Sequence, residues 1–260
     1  MRKIHPVPGP DLQVTPRVTP GPVPAGVVEL ASYYRNGATG STAMLRANMV
    51  ASADGAASLD GRSGGLSGPA DRMVFTVLRS LADVILVGAG TVRAERYRPV
   101  RAAGIWAGLR PGDAPVPAIA VVSGRLELDP DSALLTAAAP GAQTIVITTA
   151  SSSPERRAAI ARNARVIEAG THRLDFVAAV GALHGLGYAS ILTEGGPALL
   201  GHLADADLID ELCLTTSPVL AGGSASRITT CLSAHATRLS LAHVLCDDGF
   251  LFSRYQRRRE

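Results

Sequence analysis

Short apolar runs alternate with longer stretches of helical spacing along most of this chain. The runs AMLRANMVAS (43–52), DVILVG (83–88), PAIAVVS (117–123), QTIVIT (143–148), ARVIEA (164–169), ASILTEGG (189–196) and IDELCLTTSPVL (209–220) predict strands. Between them, PADRMVFTVLRSLA (69–82) sets Val74, Val77, Leu78 and Leu81 on one helical face behind Pro69. PERRAAIARN (154–163), LDFVAAVGALHGLG (174–187) and PALLGHLADADL (197–208) predict three more helices, and VVELASYYR (27–35) a short one. HVLCDDGFLFSRYQ (243–256) predicts a hairpin turning at Asp-Asp-Gly. Strands alternating with helices imply an α/β domain with a mostly parallel central sheet flanked by helices. The last two strands have no helix between them, which makes a C-terminal antiparallel hairpin. No internal repeat interrupts this order.

Composition narrows the class. The 260 residues carry 47% hydrophobic and 18% charged side chains and a formal charge of only +3. That balance argues against nucleic acid and anionic membranes as partners. Lys3 is the only lysine, so the arginine excess is a bias of composition; the terminal Arg257–Arg259 run is expected to be a solvated end. No apolar run approaches the ~18 residues that span a bilayer, and no apolar stretch follows Arg2 and Lys3 as in a secretory signal. The expected protein is soluble and cytoplasmic. Seven of the seventeen prolines fall in residues 1–24, which predicts an extended arm. The expected organisation is an arm over 1–40 and one domain over 41–260. Cys213, Cys231 and Cys246 are widely spaced, with no His at ligand spacing, so neither a zinc site nor a disulfide framework is expected.

The candidate chemistry gathers at strand ends. VGAGTV (87–92) and TEGGPALLG (193–201) are glycine-rich junctions between a strand and a helix. Such a junction is either a tight turn or a cradle for an anion at a helix N-terminus. Two in one sheet can hold the two ends of a diphosphate. A third strand end, VVSGRLEL, offers Ser123 and Arg125, either as a surface turn or as a grip on a ribose 2′-phosphate; the second would select NADPH. Among the acids, Asp54 reads as a turn residue. Asp71 sits in the first turn of its helix, as a cap or as a pocket acid. Glu194 closes a buried strand, where an unpaired carboxylate is costly, and so needs a neighbouring donor or a substrate N–H. No Gly-x-Ser-x-Gly elbow, phosphate-loop motif or His-x-Glu with Pro-Cys-x-x-Cys is present, which excludes a zinc-dependent deaminase in this chain.

NMVASADG, LRSLADVILVGAGTV and TEGGPALLGHLADADLIDELCLTTSPVLAGG together resemble the pyrimidine reductase domain of bacterial riboflavin biosynthesis, within the dihydrofolate-reductase-like superfamily. The resemblance runs from about residue 44 to the C-terminus. It implies a dihydrofolate-reductase-like fold, NADPH as cofactor, a homodimer and a stand-alone reductase without the deaminase half. Carried over by position, it implies cofactor contacts at Met49, Gly65, Thr91, Glu95 and Ser123, beside the candidates Gly88, Gly90 and Arg125 that the glycine junction and the third strand end supply. It extends these along the run from Gly196, Pro197, Ala198, Leu199 and Leu200 to His202, and the junction itself adds Gly195. Ser63, Arg79 and Glu194 would meet the substrate. Where the family continues with Asp, a Pro pair and a phosphate-binding Arg, this chain has RAERYRPVRAAG, so Arg98 or Arg101 would hold the phosphate. Asp71 replaces a small residue beside Pro69-Ala70.

The expected activity is NADPH-dependent hydride transfer to a C=N bond, as in reduction of 5-amino-6-(5-phosphoribosylamino)uracil, with Asp71 and Glu194 as the acids. The alternatives are a dihydrofolate or dihydropterin substrate, for which a new pocket acid is suggestive, and a non-catalytic NADPH-binding module.

Overall fold

The computed structural model describes residues 1–5, 25–35, 43–101, 109–110, 115–230 and 236–258. Its strands are β1 (Arg2–His5), β2 (Met44–Ser52), β3 (Val84–Gly88), β4 (Ala118–Val122), β5 (Ile145–Thr148), β6 (Arg165–Glu168), β7 (Ser190–Thr193), β8 (Glu211–Ser217), β9 (Leu239–Asp247) and β10 (Phe250–Arg257). The helices are α1 (Ala25–Tyr34), α2 (Pro69–Ser80), α3 (Ala89–Ala94), α4 (Ala133–Thr136), α5 (Pro154–Ala161), α6 (Phe176–Gly185) and α7 (Pro197–Asp205), with a 3₁₀ turn at Ser63–Leu66.

All the strands join one sheet in the order β1-β9-β10-β8-β2-β7-β3-β4-β5-β6. From β8 to β6 the neighbours are parallel. β10 runs antiparallel to both β8 and β9, as the missing helix predicted. β7 is made late in sequence and lies between β2 and β3, so the chain crosses the sheet to fill the central slot.

The parallel strands read as continuous apolar runs because helices cover both faces. Ile85, Val87, Ile119, Val121, Val146 and Leu192 point to one side, against α1, α2, α4 and α5. Val84, Leu86, Ala120, Ile145, Ile147 and Ile191 point to the other, against α6 and α7. The β8–β10–β9 end behaves differently, and β8 alternates buried with half-buried positions. One face, with Cys213, Leu245 and Phe252, joins the core under α1 and α2. The other carries the registered rows Leu212–Tyr255–Leu241 and Leu214–Ser253–Val244. Among the described residues Leu200, Ile209 and Ile228 pack against Leu212 and Leu214 at the margin of that face.

Two segments of the predicted arm belong to the body. β1 pairs with β9 at the sheet edge, and α1 buries Val27, Leu30, Ala31 and Tyr34 in the main core. Residues 6–24 and 36–42 lie outside the described residues, as do Cys231 and Arg259. The C-terminus of α1 is fixed by two guanidiniums from the sheet. Arg46 Nη2 donates to the Tyr34 carbonyl at 2.8 Å and Arg254 Nη1 to the Tyr33 carbonyl at 2.6 Å. Carbonyls at a helix end lack intrahelical donors and carry partial negative charge, so cations there are favourable. Both arginines also grip Glu211, Arg46 through Nε at 2.7 Å and Arg254 through Nη2.

The acid in the ADG turn is structural. Asp54 accepts from Ser52 Oγ at 2.5 Å and from the backbone N–H groups of Ala221 and Gly222 at 3.0 and 2.8 Å. These bonds tie the loop after β2 to the loop after β8 and hold the carboxyl well below the usual carboxylate range. Among the described residues no helix is long and apolar enough to cross a membrane.

Candidate functional site

β3 and β7 are neighbours; β3 ends at Gly88 and β7 at Thr193, just before Glu194-Gly195-Gly196, at the carboxyl edge of the sheet, where open α/β sheets bind ligands. β3 hands over at once to α3, and β7 to α7 after Glu194-Gly195-Gly196. The two loops are joined: the Gly88 N–H donates to the Gly195 carbonyl at 2.9 Å. A Cβ at Gly196 would stand 2.7 Å from Thr91 Oγ1. Nothing larger than glycine lets these turns approach so closely. Gly196 caps α7 without a side-chain bond, so the first N–H groups of that helix remain available to a ligand.

A cleft of about 320 Å³ opens on the α2 side of these loops. Its central feature is Glu194, which is buried and fully engaged in one direction. Arg79 Nε donates to Oε1 and Nη2 to Oε2, both at 2.6 Å, and Tyr97 Oη donates to Oε2. A carboxylate offers about four acceptor positions; three are used, and the second lone pair of Oε1 is left. Arg79 also lies over the Phe75 ring, 4.1 Å from its centroid. Burial works against the charge of Arg79, but Glu194 more than offsets it, and its pKa is held above the ordinary value. Burial first, and then the Glu194 charge, push the Tyr97 phenol well above its usual range. At neutral pH Arg79 therefore keeps its charge and the phenol is a proton-bearing donor.

Asp71 lines the same cleft and is 8% exposed. Its Oδ2 accepts from Ser67 Oγ at 2.6 Å. Oδ1 has no hydrogen-bond partner among the described residues. Opposite, Glu95 Oε1 accepts from the backbone N–H and Oγ of Ser63 at 2.8 and 2.9 Å, fixing the 3₁₀ turn that forms one wall.

A second cavity of about 840 Å³ lies on the other side of the glycine loops. Gly88, Gly90, Ser123 and Leu199 form its inner wall, and Arg93, Arg125 and Arg173 its rim. His202 stacks on Phe176 at 5.0 Å between centroids, a flat apolar shelf at the same rim. Arg93 and Arg125 both approach Glu127, Arg125 at 3.8 Å with its side chain 87% exposed.

The predicted residues divide between these spaces. Met49, Ser63, Asp71, Arg79, Thr91, Glu95 and Glu194 line the smaller cleft; Gly88, Gly90, Ser123, Arg125, Leu199 and His202 line the larger cavity. Gly195 and Gly196 line neither space, but they touch Gly88 and Thr91, which do. The rest stand apart. Arg98 and Arg101 are exposed and line neither space, while Val100 between them is buried in the main core. Leu200 is 1% exposed and faces the sheet side of α7, packed with Ala47 and Met49. Pro197 and Ala198 start α7 without lining either space, and the adjacent Gly64, not Gly65, lines the cleft. The sequence reading missed Arg72, Phe75 and Tyr97 in the cleft and Arg93 and Arg173 at the cavity rim. Arg72, Phe75 and Arg79 are spaced three and four apart on α2, a polar-aromatic stripe beside its apolar one.

Fold and site together define an α/β protein whose paired glycine loops lie between two ligand-sized spaces. The chain belongs to the RibD C-terminal domain family, which matches residues 43–249. It is 33% identical over 182 residues to the 2,5-diamino-6-ribosylamino-4(3H)-pyrimidinone 5′-phosphate reductase of Methanothermobacter thermautotrophicus, covering 66% of this chain and 79% of that one. The protein of the same name from Archaeoglobus fulgidus is 29% identical over 179 residues, covering 68% and 80%. A solved pyrimidine reductase-like protein from Corynebacterium diphtheriae superposes with a TM-score of 0.76 at 27% identity, covering 88% of this chain and 99% of that one.

Proposed function

We propose that the chain is an NADPH-dependent reductase of riboflavin biosynthesis, acting on the C=N bond of a ribosylamino-pyrimidine 5′-phosphate. The observation that carries this reading is the pair of cavities meeting at the joined glycine loops. A dinucleotide laid across that seam places its diphosphate at the free N–H groups of α7. Its adenosine end lies in the larger cavity, beside Ser123 and the rim arginines, and its nicotinamide end in the cleft near Met49 and Thr91. When bound, the reduced nicotinamide supplies the hydride.

This chain's residues supply the rest. Glu194 is held rigid by Arg79 and Tyr97, with one lone pair left for a heterocycle N–H. Asp71 presents its free oxygen to the opposite side of the substrate, as the acid that delivers a proton to the nitrogen. The buried walls exclude water, and positioning supplies the larger part of the acceleration. The relatives' named substrate has a 2-amino group where the corresponding uracil has a carbonyl. An amino-pyrimidinone edge presents adjacent N–H donors, and an open carboxylate is the matching acceptor. A second reading makes Asp71 that acceptor carboxylate in place of the proton-delivering acid, with a dihydropterin, whose edge is alike, as the substrate. The half-exposed rows of β8, β10 and β9 support a homodimer.

The deciding experiment is steady-state NADPH oxidation with the diaminopyrimidinone phosphate, the uracil phosphate and dihydrofolate in parallel. Turnover with a ribosylamino-pyrimidine is expected. Turnover with dihydrofolate alone transfers the assignment to the pterin reading. Tight NADPH binding with no turnover on any of them makes the chain a binding module.

The cofactor grip has its own test. Arg125→Ala is expected to raise the KM for NADPH about tenfold, the loss of one charge-assisted contact, with the KM for NADH unchanged. Equal effects on both cofactors would remove Arg125 from the 2′-phosphate.

A further inference from the structure

We propose that Arg72 is the phosphate grip of the substrate cleft, the role that position in the sequence assigned to Arg98 or Arg101. The inference rests on the reductase reading, because it is the substrate's sugar phosphate that Arg72 would bind. Two arginines line the cleft, Arg72 and Arg79. Arg79 is committed: both oxygens of Glu194 hold it, and its charge is cancelled there. Arg72 has no ion pair or side-chain hydrogen bond among the described residues. Its backbone is fixed, the N–H donating to the Gly68 carbonyl at 3.0 Å and the carbonyl accepting from Thr76 Oγ1 at 2.7 Å. The guanidinium is exposed, so it stands at the solvent end of a cleft whose inner end is Glu194.

A phosphate monoester dianion needs an uncommitted cation with parallel N–H groups, and guanidinium provides them. Arg72 is one helical turn from Phe75 and two from Arg79, on the stripe of α2 that faces the cleft. A substrate held at its ring by Glu194 and Asp71 then directs its charged tail outward along this stripe. Arg98 and Arg101, exposed beyond Tyr97, line no part of that path.

The test compares wild type, Arg72→Ala and Arg72→Lys on the diaminopyrimidinone 5′-phosphate and on its dephosphorylated ribosylamino form. Arg72→Ala is expected to raise the KM for the phosphate ester at least about tenfold. Its kcat, its KM for the dephosphorylated form and its dissociation constant for NADPH should stay near wild type. Arg72→Lys should restore part of the loss. An unchanged ratio of the two KM values overturns the assignment, and so does a matching loss of NADPH affinity, which would place Arg72 on the cofactor. Calorimetric titration of ribose 5-phosphate into the NADP⁺-loaded protein separates this inference from the reading beneath it. If wild type reduces no pyrimidine, the reductase reading fails. Ribose 5-phosphate binding that is lost in Arg72→Ala still supports the grip, and no binding to wild type overturns it.

Discussion

Replacing Asp71 with Asn is expected to lower kcat by about 10²–10⁴-fold, the range for removal of a positioned general acid, the role proposed for it here. The substitution is chosen to leave the surroundings intact. Asn has the same shape, and its carbonyl oxygen can accept the Ser67 hydroxyl that Asp71 Oδ2 accepts at 2.6 Å. The α2 N-terminus therefore keeps its local bond, and the dissociation constant for NADPH should not move. What is lost is the ability of Oδ1 to carry a proton, or a negative charge, into the cleft. Single-turnover measurement with saturating NADPH isolates that step. A fall in kcat of less than about threefold would mean that Asp71 only organises the helix start and that the proton reaches the substrate from elsewhere.

The second large effect concerns stability. Glu211→Gln is expected to destabilise the fold by about 3–5 kcal/mol, the usual consequence of removing one partner from a buried ion pair. Glu211 is 5% exposed and receives Arg46, Arg254 and Gln256. Arg46 and Arg254 are themselves 4% and 7% exposed, so neutralising Glu211 leaves two buried cations without their anion. The same guanidiniums hold the end of α1, which should loosen with them. A fall in melting temperature of roughly 10 °C is expected for a domain of this size, together with a lower urea midpoint. Burial alone would push the Glu211 pKa up, but Arg46 and Arg254 together outweigh it and hold the carboxyl below its ordinary value. Its folded pKa then lies below its unfolded one. The contribution is present above the unfolded carboxylate pKa and is lost as pH falls through the folded one. Wild type should therefore lose this increment on acidification, and the Gln variant, already without it, should show a flatter acid limb. Equal melting temperatures at neutral pH would show that the cluster gives α1 no support.

The elements with a strong period were readable. VILVG and IVIT are apolar without interruption because each sends alternate residues into two cores, and PADRMVFTVLRS keeps its helical face. The glycine loops were readable as junctions, but their mutual contact was not. It depends on β7 lying beside β3, and no local pattern states which strands become neighbours. Tyr97 shows the same limit. It follows an irregular stretch in which Arg96 has a φ of +53°, and only the backbone path brings its hydroxyl to Glu194, 97 residues away. Arg98 was a reasonable candidate by position, yet one residue beyond that turn the chain leaves the cleft. β1 was hidden by the prolines that follow it, since four residues have too little pattern to compete with such a neighbourhood.

The slot taken by β7 has a consequence for how the molecule is made. β2 and β3 do not pair with one another; each waits for a strand that emerges from synthesis about a hundred residues after β3. Until then the centre of the sheet has two open edges, and the glycine turn after β3 has nothing to join. Contacts this distant in sequence form slowly, because the chain entropy of closing the intervening segment is lost before they are made. The strand that joins β2 to β3 is thus also the one that brings Glu194 and Gly195. Joining the two halves of the sheet and assembling the cleft around Glu194 are a single event in the life of the chain.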